Sequence, residues 1–165
     1  MNALARTTPD TFIFLGADSC HHAGSIRPTA YLTLPKTIKH SPFSEPPFRP
    51  GTECPAEVIT KFHPHHAQDE PFYQTLTEAS DRNLELVEDT VDKMAQFDAL
   101  EQVFVVIAHD TTLIDIVDVF PKKASSWKEK GWKEEIQWRS LTNFKGAMAN
   151  STRCSSGTEV GMKPT

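Results

Sequence analysis

Val103-Phe104-Val105-Val106-Ile107-Ala108-His109-Asp110 is the stretch that decides the fold class. Six continuously apolar residues, rich in β-branched side chains, are stopped by a polar pair. Alternation would mark a strand wetted on one face. An unbroken run of this length instead suits a strand covered on both faces, as in layered α/β architectures. Upstream, Thr11-Phe12-Ile13-Phe14-Leu15 reads the same way and is stopped by Gly16.

Between these runs the spacing predicts an amphipathic helix over 81–97. Leu84, Val87, Val91 and Met94 recur at three- and four-residue steps, Ser80 is a suitable N-cap, and Asp81 puts a negative charge in the first turn. A shorter helix is predicted from Thr111 or Thr112 through Ile114, Ile116 and Val117 to Pro121. Residues 122–141 are expected to hold another, interrupted at Gly131. From Ile26 to Pro71 the chain carries nine prolines and little periodicity, so a long Pro-rich loop is expected there. The tail 145–165, rich in Ser, Thr, Gly and Lys, is expected to be disordered.

The resulting order is strand, long loop, helix, strand, helix, which places two parallel strands around a helical crossover. Two strands do not make a stable sheet. A further strand is therefore expected around Ala30-Tyr31-Leu32-Thr33-Leu34, or part of the sheet lies outside the chain.

Charge and composition narrow the partners. A net charge of −5 and a pI near 5.8 give no basic footprint, so no nucleic-acid partner is expected. The lysines between Lys122 and Lys133 are interspersed with glutamates and read as a solvated face. No run approaches the roughly 18 apolar residues of a membrane span. Met1 to Asp10 lacks the apolar core of a secretory signal. Cys20, Cys54 and Cys154 are odd in number and widely spaced, which does not read as a disulfide framework or a zinc knuckle; a cytoplasmic, reducing compartment is expected.

Both strong strands run into potential metal ligands. The first leads into Gly16-Ala17-Asp18-Ser19-Cys20-His21-His22, the second into His109-Asp110. Parallel neighbours put their carboxyl ends on one rim, where sites of layered α/β proteins gather. A carboxylate oxygen and a neutral imidazole nitrogen both suit zinc and similar ions. The same spacing also fits Asp18 as a turn cap and His109 as a helix cap. His21 and His22 follow closely enough to line the same cleft, as substrate contacts or as solvated loop residues. Asp110 is read as the cap of the following helix, and Trp127, Trp132 and Trp138, with Phe120 and Phe144, as core. Arg139 is expected in a surface salt bridge. Cys20 has no basic neighbour to activate its thiolate, and His63-Pro64-His65-His66 reads as an exposed His-rich loop.

Phe12-Ile13-Phe14-Leu15-Gly16-Ala17-Asp18 with Cys20-His21-His22 resembles the strand-and-aspartate segment of the metallo-β-lactamase superfamily. Val105-Val106-Ile107-Ala108-His109-Asp110 resembles the later strand that carries that family's last metal histidine. Phe120-Pro121, Trp127, Gly131-Trp132, Trp138-Arg139, Leu141 and Phe144 are similar to the terminal pattern of its fungal members. The resemblance implies the C-terminal half of an αββα sandwich over residues 11–144 and a metal-dependent hydrolase. It implies Asp18 as the aspartate that bridges two metals and His109 as a second-metal ligand. The family's zinc centre is binuclear; here it implies at most a partial second-metal site.

The family's His-x-His-x-Asp-His and a further histidine are missing upstream of Asp18, which only seventeen residues precede. The expectation is therefore a truncated chain, weakly active or inactive, with no residue in a catalytic role and an unspecified small-molecule substrate. The alternative is a non-catalytic α/β interaction module that self-associates through an exposed sheet face or docks with a missing half.

Overall fold

In a computed structural model of the chain the described residues are 2–38, 53–74 and 84–144. The tail 145–165 and the expected cap Ser80-Asp81 lie outside them. The two apolar runs form β2 (Phe12–Ala17) and β5 (Val103–Ile107), paired in parallel from Phe12 opposite Val103 to Leu15 opposite Val106. The register then slips, so that Ala17 faces Ile107. Helix α2 (Leu84–Ala99) precedes β5 and packs Val91, Met94 and Ala95 against Phe14, Val103, Val105 and Ile107. The contact is close at Gly16, where an added Cβ would stand 2.6 Å from Met94 Cε and 3.0 Å from Ile107 Cγ2. The opposite sheet face buries Ile13 and Phe104 against Trp127, Trp132 and Ile136. Burial on both faces is the physical reason these runs show no alternation.

The sheet has three strands, in the order β1-β2-β5. β1 (Ala3–Arg6) pairs antiparallel with β2, Ala3 opposite Leu15 and Arg6 opposite Phe12, and all four of its residues are exposed. The strand expected around Ala30–Leu34 is absent; that stretch contributes an isolated bridge between Thr29 and Leu32. The proline-rich excursion nevertheless has a core of its own. A short antiparallel pair, β3 (Thr37–Ile38) and β4 (Cys54–Pro55), leads into α1 (Ala56–Thr60). Leu34, Ile38, Ile59 and Phe72 gather there with Leu141. Cys54 is disulfide-bonded, against the expectation of reduced cysteines.

Three other expectations are corrected. No α-helix follows Thr111: a 3-10 turn, Thr111–Leu113, is capped by Asp110, and Asp115 then takes a left-handed φ of +70°. Phe120 is 94% exposed and belongs to no core, whereas Trp127 and Trp132 are buried and Trp138 half-buried. Between 122 and 141 the helix is confined to α3 (Trp132–Ile136), which starts from left-handed Gly131. Arg139 is buried.

One polar network ties these layers together. Arg27, in the loop after β2, donates through Nε and Nη2 to the two Asp98 carboxylate oxygens at 2.5 and 2.6 Å, and through Nη1 to the Gln137 carbonyl at 2.8 Å. Lys133 on α3 donates to the carbonyls of Asp98, Leu100 and Val103 at 2.6–2.8 Å. The end of α2, the start of β5 and the loop bearing the site are thereby fixed to α3. No helix among the described residues is long and apolar enough to cross a membrane.

Candidate metal centre

The ends of β2 and β5 lie side by side because the Ala108 N–H donates to the Ala17 carbonyl at 2.9 Å, extending the ladder by one bond. Beyond it both strands turn sharply. Ala17 has a φ of +46° and His109 a φ of +65°, left-handed conformations that cost a non-glycine residue about 1 kcal/mol or more. These turns bring Asp18 and His109 face to face, with His109 Nε2 3.2 Å from Asp18 Oδ1. His21, three residues past Asp18, folds back so that its Nε2 lies 3.7 Å from the same oxygen. The His21 and His109 rings meet edge to face, 5.2 Å apart at 80°.

The three ligand atoms of Asp18, His21 and His109 all lie within 4.8 Å of one another, the one such group among the described residues. Their side chains are 65–69% exposed, so an ion can enter from solvent. A divalent ion held at about 2.1 Å spaces its protein ligands by about 3–3.5 Å. The two separations from Asp18 Oδ1, 3.2 and 3.7 Å, sit at or just above that range, and imidazole with carboxylate is a donor set suited to such ions. The residues present fit a divalent cation.

His22 leads elsewhere. Its Nδ1 accepts the Gly24 N–H at 2.9 Å and caps the turn Ala23–Ser25. Its ring packs edge-on against Tyr73 and Phe144, and its Nε2 is 3.0 Å from the Asn143 amide. Burial lowers its pKa, opposed by the charge of Asp110. Two adjacent histidines thus divide, one toward the carboxylate and one into the packing. Asp110 accepts from the Thr112 N–H and hydroxyl at 2.9 and 2.6 Å, the cap its position suggested.

The other candidates are occupied structurally. Cys20 is a buried free thiol whose pKa is pushed up to about 11, chiefly by burial, which leaves no thiolate at neutral pH. His63 is buried rather than exposed. Its Nδ1 accepts from the His65 and Ala67 N–H groups, and its Nε2 lies 2.9 Å from the Glu70 carbonyl. His65 pairs with Glu70, and that hydrogen bond heads the causes holding the carboxyl below its usual range.

Fold and site together define a class: an α/β chain whose adjacent parallel strands converge candidate metal donors at their carboxyl ends. Comparison with known proteins narrows this. The chain is 38% identical over 147 residues to Gamma-lactamase FDB1 of Fusarium pseudograminearum, covering 87% of this chain and 35% of that protein. It is 38% identical over 149 residues to Metallo-hydrolase mfmC of Annulohypoxylon moriforme, covering 88% and 37%. A similar segment, 33% identical over 150 residues, makes up 15% of Cytochrome P450 monooxygenase mpaDE of Penicillium roqueforti and covers 90% of this chain. No protein-family model and no solved structure matches the chain. The chain is a partial relative of metallo-β-lactamase-like hydrolases, and it spans about a third of the length of the first two relatives.

Proposed function

We propose that this chain carries the second-metal part of a metallo-β-lactamase-type hydrolase, built on the C-terminal half of an αββα sandwich over residues 11–144. Asp18 and His109 are its zinc ligands. The observation that carries the reading is their convergence at 3.2 Å from the ends of two adjacent parallel strands. Bound zinc would supply Lewis-acid polarisation of a carbonyl and a water acidic enough to ionise near neutral pH. The chain's own residues do the holding: the strand ladder sets the separation of Asp18 and His109, and their exposure leaves room for water and substrate. His21 and His22 flank the ligands, His22 through the turn it caps. The name of the gamma-lactamase relative supports a small cyclic amide as the first substrate class to try.

The test is calorimetric titration of the chain with zinc beside Asp18→Ala and His109→Ala. The expected result is one weak binding event, reduced at least tenfold in both variants, with little turnover of a γ-lactam. Wild-type affinity in both variants would remove the reading. A second reading, self-association through the sheet, is favoured by the wholly exposed edge strand β1 and the half-exposed Leu4 and Leu15. Size-exclusion chromatography with light scattering decides it, since a monomer at every concentration excludes it.

A further inference from the structure

The proposed two-ligand site leaves His21 without a role in holding the ion, and the geometry points to one. We infer that His21 is a third protein ligand, so that two imidazoles and one carboxylate of this chain hold a single divalent cation with a further position open to water. The inference rests on the reading of Asp18 and His109 as ligands and adds a donor to it.

Three features of the side chain carry it. His21 Nε2 and His109 Nε2 approach the same carboxylate oxygen, at 3.7 and 3.2 Å, from rings set nearly at right angles. Two imidazoles thus converge on one point instead of stacking on each other. The only hydrogen-bonding or ionic partner described for the His21 ring is Asp18, whereas neighbouring His22 has both ring nitrogens engaged. The His21 side chain is also 65% exposed, so the movement that brings its nitrogen into a coordination sphere is open to an ordinary side-chain adjustment. Three protein ligands with an open fourth position is the arrangement of catalytic zinc sites. A pair of ligands falls short of it.

The experiment uses the full chain with His65→Ala and His66→Ala as a common background, which removes the other exposed imidazoles near one another. Zinc is titrated calorimetrically and cobalt by its visible absorption, into this background and into His21→Ala, His21→Asp, Asp18→Ala and His109→Ala. One ion per chain is expected. His21→Ala should weaken binding at least tenfold, because even residues that only support a ligand cost about 10–100-fold when removed, and should alter the cobalt spectrum. His21→Asp, which restores a donor, should recover most of the affinity. Thermal melts without metal should coincide for all variants, since the substituted side chains are exposed. If His21→Ala binds and absorbs as the background does while Asp18→Ala and His109→Ala lose the ion, the third ligand is overturned and the two-ligand reading stands. If none of the variants alters binding, both are overturned.

Discussion

Replacing Arg27 by methionine should unfold this protein more readily than any change at the site itself. The guanidinium side chain is 5% exposed and its partner, the Asp98 carboxylate, 0%. Methionine keeps most of the stem but leaves Asp98 charged and without its two donors. Breaking a buried pair from one side costs about 3–5 kcal/mol, and the Gln137 carbonyl loses a donor worth about 1 kcal/mol more. A total near 4–6 kcal/mol would lower Tm by about 8–24 °C in a chain of this size. Urea denaturation followed by tryptophan fluorescence measures this directly, with Trp127 and Trp132 buried against the same sheet. The decisive comparison is Arg27→Met with Asp98→Leu. The double variant buries neither charge and should recover to within about 2 kcal/mol of wild type, a strongly non-additive result. An Arg27→Met variant within about 1 kcal/mol of wild type, or a double variant equal to the sum of its singles, would refute the account of this pair as mutually dependent.

Two further predictions address the surroundings of the site. Trp127, fully buried against Phe104 and donating from Nε1 to Thr7 Oγ1 at 3.2 Å, should cost about 3–5 kcal/mol when replaced by alanine, read as a shift in urea midpoint. His22, its pKa lowered by burial, takes up a proton less readily folded than unfolded. Stability should therefore be flat above about pH 6.5 and fall as pH drops below it. His22→Asn keeps a capping acceptor and should flatten that slope; equal slopes in the two proteins would contradict the assignment.

The two buried strands and the helix between them were legible because each is under one strong constraint. Val103–Ile107 is buried on both faces, and Phe12–Ala17 is covered at every position but Leu15, so both show unbroken apolar runs, and α2 shows the period of a helix with one packed stripe. β1 was not legible. Ala3-Leu4-Ala5-Arg6 is an exposed edge with no buried face to impose a pattern, and the backbone ladder to β2 alone makes it a strand. The apolar residues from Ile114 to Phe120 mimic a helix, yet Ile114, Val119 and Phe120 are exposed and Asp115 is left-handed. The β-branched residues among them favour helix only weakly, and only Ile116 and Val117 pack against the core, too short a contact to impose a helix. Asp18 and His109 could be placed on one rim from strand polarity. The division between His21 and His22 could not, since adjacent loop residues are separated by a local turn that composition does not encode.

The parallel pairing of β2 and β5 has a consequence for assembly. Residues 18 and 109 meet only after the intervening chain has closed into a loop, a step whose entropic cost comes before any reward from the contact. An ion seated between them would act as a reversible cross-link on that loop. It would bind the folded chain alone and, at a hundred times its Kd, favour that state by about 2.7 kcal/mol. Metal uptake during refolding should then trail strand pairing, so that the cation serves as a chemical clock for closure of the sheet.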